Sequence, residues 1–207
     1  MRRFSLLFGL LLLALPFTGA DCTKTRVTDT VITVNLTSHW NTNGFTEGTH
    51  NDTRTINAAT DLVDALDNVD AENLEQITVS GVEYLVVANR GSAARQAAQH
   101  SGSVTFNSKD LVTFDAPNTA AGLVGTPANG RVVMKAAGVG DINTRLAQFL
   151  ASYQAGNPNL SLVDNLTFAA SWVSTPNATQ ADQDDFDWDV VVVLQIVAKA
   201  NVDIFAP

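Results

Sequence analysis

A single cysteine in 207 residues rules out an internal disulfide. With no CxxC pair, dithiol redox chemistry is excluded as well. Basic residues are also scarce: 12 Lys and Arg stand against 21 Asp and Glu, and only four of the 12 are lysines. DNA, RNA and anionic lipid all need a basic face, so they are excluded as partners. The chain has no GxSxG, no phosphate loop and no HExxH. His39, His50 and His100 stand far apart, without metal-ligand spacing, and read as polar surface residues. Without a reactive constellation the expectation is a protein that is not an enzyme and needs no cofactor.

Apolar residues are plentiful. They make up 45% of the chain, ample for a packed core and incompatible with global disorder. Acidity is carried by 17 Asp against four Glu, a choice that favours loops, caps and strand ends over helix interiors.

The N-terminus has the pattern of a secretory leader. Met1-Arg2-Arg3 is basic, residues 4–17 are mostly apolar, and Thr18-Gly19-Ala20 supplies small residues for cleavage. The apolar run falls short of the ~20 residues that span a bilayer. Residues 1–20 are therefore expected to be a signal peptide, and the mature chain to have no transmembrane segment. Loss of Arg2 and Arg3 leaves ten basic residues against 21 acidic, a charge of −11. LPFTG at 15–19 matches the LPxTG wall-sorting pattern, but inside a leader it is removed with it. Cys22 lies just past the cleavage site. Two readings stay open: ordinary secretion with cleavage after Ala20, or a lipid anchor on Cys22, with Asp21 departing from the lipobox pattern. Either way the expected location is outside the cytoplasm: periplasmic, extracellular or outer-membrane-anchored.

The rest reads as a flexible segment, 21–30, and one β-rich domain, 31–207. Ile32, Val34 and Leu36 alternate as in a half-buried strand. Residues 41–55 are polar and predict a loop or irregular hairpin. Residues 60–66 predict a short helix capped by Thr60 or Asp61. A strand from 76 to 89 changes its inward parity at Gly81, which predicts a β-bulge. Residues 91–101 predict a weak helical turn. A hairpin is expected over 103–115, turning through Asn107-Ser108-Lys109-Asp110, and a short strand over 131–135. The strongest helical stripe is Ile142, Leu146, Phe149, Leu150 and Tyr153, predicting a helix over 141–155 with Asp141 as N-cap. A strand is expected over 165–174. From Phe186 to Ile204 every even position is apolar. At ~3.3 Å per residue such a strand is too long for one domain, so a break is expected at Lys199-Ala200-Asn201. The fold class is mainly β with two helices, α+β: an antiparallel β-sandwich of about seven or eight strands. Helix 141–155 is expected over the doubly covered last strand or capping the sandwich.

One acidic cluster stands out. Asp185, Asp187 and Asp189 share a strand face and are candidate Ca2+ ligands; the other reading is a solvated strand entry whose charges discourage edge aggregation. Asp61, Asp64, Asp67 and Asp70 read as a solvated helix face. Trp40, Trp172 and Trp188 could line a ligand platform, or pack in the core, which Trp172 and Trp188 favour.

The leader with lone Cys22, the acidic stretch 61–75 running into Ile77-Thr78-Val79, and the closing run Asp185 to Val197 together resemble exported β-sandwich proteins and lipoproteins of Gram-negative bacteria. The resemblance implies a structural or interaction module at the cell envelope, with a protein or glycan partner. The alternative is a binding module for a small apolar ligand or glycan, stabilised by Ca2+.

Overall fold

Alternating apolar residues build most of the strands. The computed structural model describes residues 23–41, 48–67, 69–89, 97–117, 132–176 and 186–205. Among them are eight strands: β1 (Thr23–Asn41), β2 (Gly48–Ile56), β3 (Leu74–Asn89), β4 (Ala97–Phe106), β5 (Lys109–Pro117), β6 (Val132–Met134), β7 (Leu166–Pro176) and β8 (Phe186–Phe205). Two α-helices accompany them, α1 (Ala59–Leu66) and α2 (Ala136–Gln154). The strands form a three-stranded sheet, β1-β8-β3, and a five-stranded sheet, β2-β7-β4-β5-β6. The paired strands with described registers are antiparallel. The fold is the expected α+β sandwich. No helix among the described residues is long and apolar enough to cross a membrane.

The core lies between the inner faces of the two sheets. Val34 and Leu36 of β1, Val82 and Tyr84 of β3, and Val190 to Ile196 at even positions of β8 face Val104 of β4, Phe114 of β5 and Phe168 of β7. The expected bulge at Gly81 is present as a register shift between Val79 and Gly81.

Several expectations are corrected. Residues 48–56 are not a loop but β2, paired along its length with β7. Its inward positions include His50, Asp52 and Arg54, so apolar alternation is missing, while its β-branched threonines suit a strand. Residues from Ala97 onward are strand, not helical turn. The segment 21–30 is in strand conformation from Thr23. The first helix is not capped by Thr60 or Asp61; Asn57 Oδ1 accepts from the Ala59 N–H at 2.9 Å.

The final strand runs unbroken from Phe186 to Phe205. The chain divides into two compact units, Asp29–Lys199 and a smaller one of Met1–Thr28 with Ala200–Pro207. The boundary falls at the Lys199-Ala200 position where a break was expected. The larger unit holds β2 to β7 whole and the greater part of β1 and β8.

Helix α2 starts at Ala136, five residues before the predicted Asp141. Its buried stripe is the expected one, Ile142, Leu146, Phe149 and Leu150, extended by Gly138. The helix packs against β3 and β5, closing the side of the sandwich between them. β3 is an edge strand there, and the helix supplies partners for its edge. Asn143 Oδ1 accepts from the Val79 N–H at 2.8 Å, and Gln154 Nε2 donates to the Leu74 carbonyl at 2.7 Å. Side-chain amides thus satisfy an edge that would otherwise invite another strand. Asp141, in the second turn, takes Lys109 Nζ at 2.5 Å and Asn107 Nδ2 at 2.6 Å. These bonds hold its carboxyl below the usual carboxylate range.

They also pin the β4–β5 hairpin, which turns in two residues rather than four. Asn107 and Ser108 have φ of 49° and 61°. Positive φ at both positions is the two-residue hairpin geometry in which Asn-Gly is preferred. Serine at the second position carries a steric cost of about 1 kcal/mol. Ser108→Gly is therefore expected to stabilise the protein by a sizeable part of that, read as a higher urea midpoint with unchanged slope.

Candidate functional site

Three groups of chemistry-bearing residues emerge from the fold: an aromatic cluster inside the sandwich, an acid–histidine group outside the smaller sheet, and a polar outer face on the larger one.

The inner cluster forms where β8 enters the sandwich. Trp188 is its hub. Trp40 stacks on it with ring centroids 4.7 Å apart, and Trp172 meets it at 5.3 Å and 74°. Phe114, His100 and Tyr84 surround it at 5.1, 5.0 and 5.7 Å. Alternation explains the assembly: Trp40, Tyr84, His100, Trp172 and Trp188 all occupy inward positions of five different strands. All three tryptophans are buried. An exposed tryptophan platform is thereby corrected to core packing, for Trp40 as for the other two. Offset and edge-on ring contacts of this kind add stability beyond burial alone.

His100 is the main surprise. It was expected at the surface, and it is fully buried. Tyr84 lies across the sandwich, its hydroxyl 2.7 Å from His100 Nδ1. Burial, with a smaller contribution from the charge of nearby His50, lowers the His100 pKa to about 3. Burial also raises that of Tyr84. Both are neutral at neutral pH, so the pair is a hydrogen bond between uncharged groups in an apolar setting. The pattern His100, Val104, Phe106 on one parity and Ser101, Ser103, Thr105 on the other signals a strand. Reading 91–101 as helical hides it.

The second group lies on the face of β8 turned away from the interior. Asp187 and Asp189 do share that face, as expected. Asp187 is buried, and Asp189 bonds His39 Nδ1 at 2.6 Å. Asp185 lies outside the described residues, as does Cys22. Among the described residues no three His, Cys, Asp or Glu side chains gather in a way that could hold a metal ion. Asp61, Asp64, Asp67 and Asp70 are all exposed.

The third group was not foreseen. On the outer face of the five-stranded sheet the register aligns side chains in rows across the strands. One row is Asn51, Ser171, Ser103, Thr113 and Val133. The next is Thr53, Ala169, Thr105 and Asp110. Thr49, Val173, Ser101 and Asp115 form a third. Thr55 meets Thr167 beyond them, their hydroxyls 3.3 Å apart. Neighbours are ~4.8 Å apart across strands and ~6.8 Å along them. These rows contain no Lys, Arg, Glu or His. Their only charges, Asp110 and Asp115, sit together on β5. A soluble surface usually mixes charges at roughly a quarter to a third of its positions, so this face departs from the ordinary. Small side chains on β7 make it concave. Ala169 and Ser171 floor a shallow depression of about 250 Å³, walled by Asn51, Asp52 and Thr53 on β2 and Ser103 and Thr105 on β4. Its signal in the sequence is the alternate-position Thr, Ser and Asn of three separate strands, which only the register brings together.

No protein-family model, no curated protein and no solved structure matches the chain.

Proposed function

We propose that this protein is an exported, non-catalytic interaction module of the bacterial cell surface or periplasm, and that its working surface is the outer face of the five-stranded sheet. The observation that carries the reading is the near absence of charge from those rows in a chain with 21 acidic residues. Charges that keep a surface solvated are missing where hydroxyls and small side chains are concentrated. Elsewhere among the described residues, several ionisable side chains are engaged in pairs that tie elements together. His100 bonds Tyr84, His39 bonds Asp189, and Lys109 bonds Asp141. The leader pattern of residues 1–20 supports export, and Cys22 leaves lipid anchoring as one form of it.

The test is sedimentation of the purified mature chain with isolated Gram-negative envelope material. Binding is expected, and Ala169→Arg, at the centre of the face, should weaken it about tenfold or more. Thr33→Arg, exposed on β1 of the other sheet, should leave it unchanged. Equal effects of the two variants, or no sedimentation of the wild type, would overturn the reading.

A further inference from the structure

We infer that the occupant of the depression over β7 is a neutral glycan chain, an inference that rests on the outer face being the working surface. The chemistry of the face selects the occupant. An anionic polymer needs Lys or Arg, and the rows have none, while the 21 acidic residues of the whole chain repel it. A cationic segment would need unpaired acids at the centre, but Asp110 and Asp115 lie off to one side on β5, and Asp52, which also lines the depression, is paired with Arg54 at 2.6 Å. An apolar segment needs a continuous apolar strip. Val173 and Val133 are the only large apolar side chains in the rows, and they are on strands separated by β4 and β5.

Hydroxyls and one amide remain. Each Ser or Thr hydroxyl donates once and accepts twice, and Asn51 does both through its amide. Sugar hydroxyls have the same double capacity, so each can be met from either side without leaving a donor facing a donor. The depression adds shape. It lies over β7 with hydrogen-bonding walls on β2 and β4 and a floor of small side chains. Ala169 and the methyls of Thr53 and Thr105 offer the C–H face of a sugar ring an apolar contact. The volume of about 250 Å³ lies just below the ~300–1,000 Å³ of typical ligand pockets. A few sugar units in a shallow seat, with no aromatic ring beneath them, bind weakly. Affinity at the envelope would come from many chain segments.

The experiment is a titration of the isotope-labelled mature chain with short neutral glucan, mannan and chitin-type oligosaccharides, with an acidic uronate oligosaccharide alongside. The expected result is shift changes confined to the Thr53, Ser103, Thr105 and Ala169 signals with at least one neutral sugar. Ala169→Arg is expected to reduce that affinity at least tenfold, and Thr33→Arg to leave it unchanged. Should Ala169→Arg not fold, Ser171→Glu serves instead. Shifts located elsewhere, tighter binding of the uronate, or no response to any neutral sugar would overturn the glycan. If envelope sedimentation stays sensitive to Ala169→Arg while neutral sugars do nothing, the glycan falls and the face stands. If sedimentation is indifferent to Ala169→Arg, the face itself falls.

Discussion

Acidification from pH 6.5 to about 3 should remove roughly 5 kcal/mol of stability through His100 alone. The imidazole is buried and neutral in the folded protein, with a pKa lowered from 6.5 to about 3. In the unfolded chain it takes a proton below 6.5. Across that window the unfolded state binds more protons than the folded one, so stability falls as pH falls. Above 6.5 both states are neutral and the contribution is complete. Below about 3 both are charged and nothing more is lost. At 1.36 kcal/mol for each pH unit of the gap, the sum is about 5 kcal/mol. That rivals the entire stability of many domains, ~5–15 kcal/mol. The double variant His100→Phe with Tyr84→Phe removes the titrating group without stranding the tyrosine hydroxyl. Its urea stability should fall much less from pH 6.5 to 4 than that of the wild type, the remaining slope coming from carboxylates such as Asp141, which are held below their usual range. A parallel decline in both proteins would show that His100 is not the responsible group.

Two glycines of α2 should respond to alanine in opposite directions. Alanine in a helix interior is ordinarily better than glycine by about 1 kcal/mol. At Gly140 a Cβ meets nothing within 4 Å, and that gain should be realised. At Gly138 the same Cβ would lie 2.6 Å from both the Asp110 carbonyl oxygen and Leu111 Cα, and 2.8 Å from the Asp110 carbonyl carbon. These are backbone atoms of β5 and cannot swing aside. β5 is tied to its neighbours by ladder bonds, by Lys135 N–H to the Leu111 carbonyl at 2.8 Å, and by Lys109 to Asp141. Helix or strand must shift, at a cost of about 3 kcal/mol, which outweighs the propensity gain. Gly138→Ala should therefore lower the urea midpoint and Gly140→Ala raise it. Equal midpoints for the two variants would mean that α2 does not rest directly on the β5 backbone.

Legibility of this fold in its sequence followed side-chain chemistry. β7 and β8 alternate apolar and polar residues over many positions, and both were readable. The stripe of α2 was readable from Ile142 onward, but Ala136 to Gly140 carry no large side chain. The helix start there is set by contact with β5 rather than by local pattern. β2 was not readable, because His50, Asp52 and Arg54 face inward where apolar residues would normally stand. Arg54 reaches out of β2 to the His39 carbonyl of β1 at 3.1 Å, a bond between strands of different sheets. The Tyr84–His100 pair joins strands that face each other across the core. The rows of the outer face join residues more than 60 positions apart in the chain, such as Thr105 and Ala169. Local periodicity contains neither relation.

The order of strands also governs when the fold can be completed. β8 lies between β1 and β3, and β7 lies between β2 and β4. Of the described strands, the central one of the smaller sheet is thus the last made, and β7 just precedes it. Leu74 must wait for Ala198, and Asn89 for Phe186. Until the ribosome has finished β8, β1 and β3 lack their neighbour in the smaller sheet, and β2 and β4 lack theirs until β7 emerges, although β4 and β5 can already form their hairpin. Closing such distant pairings is slow. A nascent chain of this topology can close neither sheet early: the smaller waits for β8 and the larger for β7.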